Sequence, residues 1–207
     1  IRSAAMNIGA RETILAAVRL AQKPPMVRTP YPEFSDDVAR TLQPDADLWT
    51  VFVERLQSVR GQAYTEARLV GDFLRANGWT RGYCDPALRA SVGETLGEGI
   101  TVEYAFDSAR VEEYQFGITR AAGAIAETGT IVLNDATTSA RLAALAPWVH
   151  IAVLSPRELW PDIATALVRI GNDPNTIWVT GPSKTGDIEG VLVEGVHGPG
   201  VQICLRV

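Results

Sequence analysis

The run Trp148–Leu154, with the sequence WVHIAVL, constrains the fold more than any other stretch of the chain. A half-exposed strand alternates apolar and polar side chains, whereas an almost unbroken apolar run is typical of a strand covered on both faces. Ser155 and Pro156 follow at once. Serine as an N-cap before proline at the first helical position predicts a helix, which we expect to continue to Ile170.

Strand and helix patterns alternate through the rest of the chain, which predicts an α/β protein. We expect a three-layer sandwich with a mixed, mostly parallel sheet. Ile177–Val179 is predicted to be a buried strand of that sheet. The runs Val191–Val196 and Val201–Val207 are separated by a short glycine- and proline-containing turn. Their closeness predicts an antiparallel hairpin at one end of the sheet.

The N-terminal part, residues 1–46, is predicted to be a helix followed by a proline-rich arm, ahead of a globular domain over residues 47–207. Gly9–Ala21 has helical apolar spacing but no core of its own, so it must pack on the main body or on a partner. The following stretch to Pro44 is rich in proline, which favours an extended arm.

Met6 opens a stretch that resembles a native start, so we expect residues 1–5 to be an appended remnant. No secretory signal peptide is visible, and no apolar run approaches the roughly 18–20 residues that a membrane-spanning helix needs. Cytoplasmic location is therefore the expectation.

Charge and cysteine usage exclude several classes of function. The formal net charge of −5 argues against nucleic-acid binding, which requires a basic face. The 2 cysteines, Cys84 and Cys204, lie far apart in apolar contexts, where buried structural thiols are expected. The chain also has only 2 histidines, so it offers few of the usual metal ligands. We therefore predict that it holds no metal or cofactor.

The first candidate site follows the strand at Ile177–Val179, where Gly181 and Pro182 form a turn. Ser183, Lys184 and Thr185 come next, and hydroxyls with an ammonium group at a strand-to-helix turn predict an anion-binding site. The alternative is that the hydroxyls cap a tight turn and that Lys184 is a solvated surface charge.

The second candidate is a group of titratable side chains in the same segment. Asp187 and Glu189 flank one residue and would share a face of an extended chain. His197 precedes a Gly-Pro pair and is a candidate proton carrier in the same cleft. The alternative for His197 is a hydrogen-bonded structural residue.

The third candidate is Glu127, which stands between small apolar residues and the turn Thr128-Gly129-Thr130. A carboxylate in an apolar groove can act as an acid, a base or a nucleophile. The turn residues are candidate ligand contacts. Alternatively, the Glu127 oxygens bond the backbone of the turn, which we expect to close a hairpin.

Two motifs and the strand between them resemble the LUD-domain family, most closely its lactate utilization protein C group. They are AIAETGTIVL over Ala124–Leu133 and TGPSKTGDIEGVLVEGVHGP over Thr180–Pro199, with WVHIAVL between them. The resemblance runs from about Asp47 to the C-terminus. It implies the α/β/α fold that is also called NagB/RpiA/CoA-transferase-like.

The resemblance also implies a function, namely a part in a system that oxidises L-lactate to pyruvate. In such a system two partner proteins carry iron–sulfur clusters, and this chain, with 2 cysteines, would be the cluster-free subunit. It would bind those partners, a small anionic ligand, or both, and it could form oligomers.

Two other interpretations stay open, and with them the question of whether the chain is an enzyme. In one, the chain is a scaffold without chemistry, and the proline-rich arm docks the iron–sulfur subunits. In the other, it is a stand-alone transferase or isomerase with Glu127 as the nucleophile, which would be argued from fold analogy alone.

Overall fold

The computed structural model describes residues 6–22, 42–43, 45–186 and 192–207 of the chain. It divides into two compact units, Ile1–Ala39 and Arg40–Val207. Most of the expected proline-rich arm, together with Asp187 and Glu189, lies outside the described residues.

The described part of the first unit is a single helix, α1 (Met6–Ala21). The spacing of apolar residues over Gly9–Ala21 predicted this helix. The apolar side chains of Ile14, Val18 and Leu20 are exposed. Across the ranges that the structure describes, no helix is both long and apolar enough to span a bilayer.

The described helices of the second unit are short, and they include both α-helices and segments of 3-10 helix. The α-helices are α2 (Leu48–Ser58), α3 (Ala67–Ala76), α4 (Arg141–Leu145) and α5 (Ile163–Ile170). The 3-10 segments are Pro86–Leu88, Gly93–Thr95, Ser108–Glu113 and Pro156–Glu158.

Six strands form the main sheet, and every pairing in it is parallel. They are β1 (Gln62–Tyr64), β2 (Arg81–Cys84), β3 (Thr101–Glu103), β4 (Phe116–Arg120), β7 (Val149–Leu154) and β12 (Val201–Arg206). Their order across the sheet is β1-β12-β7-β4-β2-β3. All residues of β7 are buried, which confirms the prediction of a central strand covered on both faces.

Two hydrophobic clusters cover the two faces of this sheet. Along β7, Ile151 and Val153 belong to one cluster and Ala152 and Leu154 to the other, as the alternation of side chains in a strand requires. Helix α3 packs on the first face. Helices α2 and α4 pack on the second, so the prediction of a layered α/β fold is confirmed.

The second face is also covered by a smaller sheet, which the sequence did not predict. Its strands are β5 (Gly123–Ile125), β6 (Thr130–Asn134), β8 (Leu159–Trp160) and β9 (Thr176–Val179), in the order β8-β5-β6-β9. The antiparallel pair β5 and β6 is the hairpin expected around Thr128 and Gly129. Strand β9 joins this sheet instead of the main one and is only partly buried, with Trp178 38% exposed.

The predicted helix from Ser155 to Ile170 is wrong in its first half. Ser155 makes no side-chain cap, and only one 3-10 turn follows it before β8 pairs with β5. The α-helix starts at Ile163, where Asp162 accepts a hydrogen bond from the Thr165 amide at 2.7 Å.

The predicted antiparallel hairpin at the C-terminus is also wrong. Strand β12 lies inside the main sheet, parallel to β1 and β7. The preceding strand, β11 (Leu192–Glu194), pairs with β10 (Lys184–Gly186) in a separate two-stranded ribbon. A turn between two strands does not decide whether those strands pair, because each can find a better partner elsewhere.

Candidate functional site

The Glu127 carboxylate lies at the end of the β5–β6 hairpin and binds the start of helix α5. Its Oε1 atom accepts a hydrogen bond from the Ile163 amide at 2.9 Å. A negative charge at a helix N-terminus is stabilised by the unpaired amides and by the helix dipole. Glu127 therefore has a structural partner that lies 36 residues further along the chain.

The hairpin turn and the segment after β9 meet, so the structure brings two of the predicted motifs together. The Thr128 hydroxyl donates to Thr130 at 2.7 Å, and the Thr130 hydroxyl lies 2.8 Å from that of Thr180. Gly129 and Gly181 both have positive φ and both approach the C-terminal end of helix α2. The contact links the turns to one another and to α2.

Lys184 takes part in the same contact. Its ammonium group donates to the Val59 carbonyl at the C-terminal end of α2, at 3.1 Å, and lies 3.9 Å from Glu194. Lys184 and Thr185 enter strand β10, so the expected strand-to-helix turn is wrong. The role predicted for Ser183, Lys184 and Thr185 in binding an anion stays a prediction.

Ser183 and His197 line one cavity of about 380 Å³, together with Gly181 and Gln202. His197 is exposed. The structure thus brings these predicted residues together, whereas Glu127 and Lys184 are not part of this wall.

Beneath this cavity, a buried polar row crosses three central strands of the main sheet. His150 lies 2.9 Å from the Thr119 hydroxyl through Nε2 and 2.9 Å from Gln202 Oε1 through Nδ1. Since an amide oxygen only accepts, Nδ1 carries the proton and Nε2 accepts from Thr119. Burial lowers the pKa of His150 to about 4, against the opposing effect of the Gln202 hydrogen bond. His150 is therefore neutral at physiological pH.

A larger cavity, of about 520 Å³, opens at the carboxyl ends of the parallel strands. Arg120, Ser155 and Val207 line it, and they end or directly follow β4, β7 and β12. Ligands of open α/β sheets bind at this edge. We take this cavity, named here the carboxyl-edge cavity, as the candidate functional site.

Arg120 places a cation in the wall of the carboxyl-edge cavity, and Asp85 holds it in place. The Arg120 Nε atom donates to Asp85 Oδ2 at 3.0 Å, and the other Asp85 oxygen accepts from the Ala87 amide at 2.8 Å. The Asp85 side chain is 2% exposed and that of Arg120 is 40% exposed. The guanidinium is thus fixed on its inner side and open to the cavity on its outer side.

Helix α5 and the segment after β7 complete the wall with Trp160, Glu158 and Arg169. None of these residues was singled out from the sequence. Arg120 and Ser155 could have been recognised as candidate site residues because each lies at the end of a buried strand. Ser155 was instead interpreted as a helix cap.

The two cysteines lie apart, Cys84 in β2 and Cys204 in β12, and both are buried. Burial raises the pKa of the Cys84 thiol to about 12 and raises that of Cys204 as well. Within the ranges described above, no three histidine, cysteine or acidic side chains group into a possible metal site.

Fold and cavity together define an α/β protein with a parallel main sheet and a cavity at the carboxyl edge of that sheet. Residues 94–205, which run from before β3 into β12, match the LUD domain family. The chain belongs to this family, which confirms the resemblance seen in the two motifs.

Similar proteins extend the comparison. The lactate utilization protein C of Deinococcus radiodurans is 36% identical over 150 residues, which cover 67% of this chain and 70% of that protein. The protein of the same name from Bacillus subtilis is 37% identical over 98 residues, 44% of this chain and 41% of the relative. An uncharacterized protein of Neisseria meningitidis serogroup B is 30% identical over 127 residues, 58% of this chain and 54% of the relative. The match thus spans about half of the Neisseria protein and less of the Bacillus one.

A solved structure supports the fold. The crystal structure of a DUF162 family protein from Deinococcus radiodurans superposes with a TM-score of 0.56 at 22% identity. The superposition covers 78% of this chain and 97% of that one, so the two share their architecture.

Proposed function

We propose that this chain is a subunit of an L-lactate utilization system. The proposal is supported by its membership of the LUD domain family and by relatives named lactate utilization protein C in Deinococcus and Bacillus. The two relatives match over different shares of their own length, 70% for the Deinococcus protein and 41% for the Bacillus subtilis protein.

Within that system, the chain binds a small anionic ligand in the carboxyl-edge cavity. One observation carries this part of the proposal: Arg120 is oriented by the buried Asp85 and faces the cavity at the edge where α/β sheets bind ligands. A guanidinium held in this way is preorganised, so little conformational entropy is lost when an anion binds.

The site predicted around Ser183, Lys184 and Thr185 is the weaker alternative for the anion. The Lys184 ammonium already binds the Val59 carbonyl, and an anion would have to compete with that contact. For Glu127 and His197, a part in proton transfer is likewise proposed only as an alternative, since Glu127 already receives the Ile163 amide.

The partners in this proposal are iron–sulfur subunits of the same system. The clusters would lie in those partners, since the two thiols of this chain are buried on separate strands and have raised pKa values. The exposed apolar residues Ile14, Val18 and Leu20 of α1 favour this helix as a docking element. The scaffold interpretation, in which the proline-rich arm docks these partners, stays a prediction, because most of that arm lies outside the described residues.

Deletion of the gene tests the proposed function. The deletion strain should fail to grow on L-lactate and should grow normally on pyruvate, because only the oxidation step is lost. Expression of the wild-type chain should restore growth on L-lactate. Normal growth of the deletion strain on L-lactate would contradict the proposal.

Co-purification tests the partner interaction. A tagged chain should retain the iron–sulfur subunits, and the substitutions Ile14→Asp and Val18→Asp should release them. Arg11→Asp on the same helix is the matched control, because it also adds negative charge but leaves the apolar residues intact. Equal retention by all variants would contradict docking through α1.

A further inference from the structure

A further pocket lies at the opposite edge of the main sheet, at the amino ends of its strands. Trp148 directly precedes β7, Gln115 directly precedes β4, and Trp79 lies two residues before β2. Because these strands run parallel, the three residues meet at one edge, where they line a cavity of about 310 Å³ together with Tyr114 and Glu112. We name it the amino-edge pocket. It shares no lining residue with the carboxyl-edge cavity.

Trp148 is an exposed aromatic side chain that the backbone holds in place. The residue is 45% exposed. A Cβ atom added at Gly195 would come within 2.2 Å of its Cζ3 atom, and one added at Gly200 within 2.4 Å of its Cζ2 atom. Glycine at these two positions therefore lets the backbone pack directly against the indole. The ring is fixed at the surface although water reaches nearly half of the residue.

The other tryptophan of the pocket, Trp79, is also held by its neighbours. Its amide donates a hydrogen bond to the Leu74 carbonyl at 2.9 Å, and its ring packs on Phe73 with the ring centroids 5.8 Å apart. Trp79 and Trp148 thus form two preorganised walls of the pocket. A group that binds between such walls loses less free energy to the ordering of the site than one that binds mobile side chains.

Glu112 gives the pocket a negative charge. It is exposed, and it is the only charged side chain among the described residues that line the pocket. Within the described ranges its carboxylate forms no ion pair, whereas the neighbouring Glu113 is paired with Arg110 and Arg81. A carboxylate beside aromatic rings, with no cation in the same wall, favours a cationic ligand.

Among the cationic side chains of proteins, arginine matches these walls best. Its planar guanidinium stacks on aromatic faces and is more weakly hydrated than the ammonium group of lysine. It also binds a carboxylate through paired hydrogen bonds. An apolar side chain would pack on the tryptophans as well, but it would remove Glu112 from water without giving it a partner.

The surroundings of the pocket are typical of a protein interface. Leu142 and Val196 are apolar and exposed. Leu142 lies one helical turn before the pocket residue Ala146, and Val196 directly follows the pocket residue Gly195. Tryptophan, tyrosine and arginine are enriched among the residues that dominate the binding energy of interfaces, and such residues tend to pair across the interface. The pocket with its apolar rim therefore favours a side chain presented by another protein.

We propose that the amino-edge pocket is a docking site for a protein partner and that its occupant is an arginine side chain of that partner. The rings of Trp79 and Trp148 pack against the guanidinium group and the chain that leads to it, and Glu112 pairs with the positive charge. The inference does not depend on the proposed function, because the anion site proposed above lies at the other edge of the sheet.

Titration of the isotope-labelled full chain with short peptides, followed by NMR, tests the inference. The probe is the peptide Ala-Leu-Arg-Leu-Ala, acetylated and amidated at its ends so that arginine carries its only charge. Matched peptides have citrulline, lysine or leucine in place of arginine, and citrulline keeps the shape but removes the charge. The indole N–H signals of Trp79 and Trp148 report binding at the pocket. The arginine peptide should bind about fivefold more tightly than the citrulline peptide.

The substitution Glu112→Gln removes the negative charge of the pocket. It should raise the Kd for the arginine peptide about threefold, as expected for the loss of an exposed ion pair, and it should leave the Kd for the citrulline peptide unchanged. Glu54→Gln is the matched control, because Glu54 is an exposed acid of α2 that does not line the pocket, and it should change neither Kd.

The substitution Trp148→Leu removes one aromatic wall and should also raise the Kd for the arginine peptide about threefold. Trp178→Leu is its control, since Trp178 is exposed to a similar extent but lines a different cavity. Glu112→Gln changes an exposed side chain, so it tests the same pocket if Trp148→Leu fails to fold.

Four results would overturn the inference. The first is an arginine peptide that binds no more tightly than the citrulline peptide, or not at all. The second is an unchanged Kd in folded Glu112→Gln. The third is tighter binding of the lysine or leucine peptide, which would assign the pocket a different occupant. The fourth is binding of ethylguanidinium chloride as tightly as the arginine peptide, because the pocket would then take free guanidinium compounds and need no protein partner.

Discussion

Arg120 and Asp85 form an ion pair that joins the interior of the protein to the carboxyl-edge cavity. Their Nε and Oδ2 atoms lie 3.0 Å apart, and the side chain of Asp85 is 2% exposed whereas that of Arg120 is 40% exposed. The carboxylate is thus removed from water, and the guanidinium provides its main compensation together with the Ala87 amide. Such an arrangement orients Arg120, and it makes Asp85 depend on Arg120.

The substitution Arg120→Gln should therefore destabilise the protein by about 2–3 kcal/mol, because it leaves a buried carboxylate without its cation. Asp85→Asn in the same chain should recover part of the loss, since it removes the uncompensated charge. Urea denaturation of both single variants and the double variant gives the coupling free energy. Additive effects of the two substitutions would show that the pair is not coupled.

His150 predicts a specific dependence of stability on pH. Its folded pKa is about 4, below the unfolded value of about 6.5, so the unfolded chain binds the proton more readily between these pH values. Stability from this residue is fully present above about pH 6.5 and is lost as the pH falls toward 4. The loss should amount to roughly 3 kcal/mol.

Denaturation of wild type and His150→Gln between pH 4 and 7 measures this contribution. The difference in unfolding free energy between the two proteins should shrink as the pH falls. His197→Gln, which changes the other, exposed histidine, should follow the wild type. A difference that stays constant with pH would contradict the lowered pKa of His150. Acidic residues contribute equally to both proteins, so they cancel in this difference.

Gly129→Ala should destabilise the protein by about 2 kcal/mol or more. Gly129 has φ +65°, and a Cβ atom there would lie 2.4 Å from the Leu56 amide nitrogen of helix α2. For a domain of this size the melting temperature should fall by roughly 4–8 °C. Gly186→Ala is the matched control, because open space surrounds that position and its melting temperature should hardly change.

Lys184→Ala should lower the unfolding free energy by about 1 kcal/mol, since the Val59 carbonyl at the end of α2 loses its donor. The anion binding that we propose for the carboxyl-edge cavity should not change. Arg60→Gln, which removes another cation from Glu194, serves as the comparison. Loss of anion binding by a folded Lys184→Ala protein would instead favour the site predicted at Ser183–Thr185.

Local features of the fold could be predicted because they depend on neighbouring residues. At the start of α2, for example, the Asp47 carboxylate accepts a hydrogen bond from the Thr50 amide, only three residues away. The hairpin around Gly129 and the buried strand β7 follow from turn chemistry and from an apolar run.

Strand neighbours could not be predicted in the same way. The segment after Ser155 has a helix-start pattern, yet Leu159 and Trp160 pair with β5, whose residues lie more than thirty positions earlier. The backbone N–H and C=O groups of this segment form hydrogen bonds with the edge of strand β5, and these replace the hydrogen bonds that a helix would provide. The local preference of this segment for a helix therefore did not determine its secondary structure.

The sequence by itself determined the class of the fold, the central strand and the family, because these depend on apolar periodicity and on contiguous motifs. Only the tertiary structure decided where the cavity lies and which residues face it. Asp85, Arg120 and Ser155 belong to separate segments, and each has an ordinary sequence context. They become parts of one site because the parallel order of β2, β4 and β7 brings their carboxyl ends to one edge of the sheet.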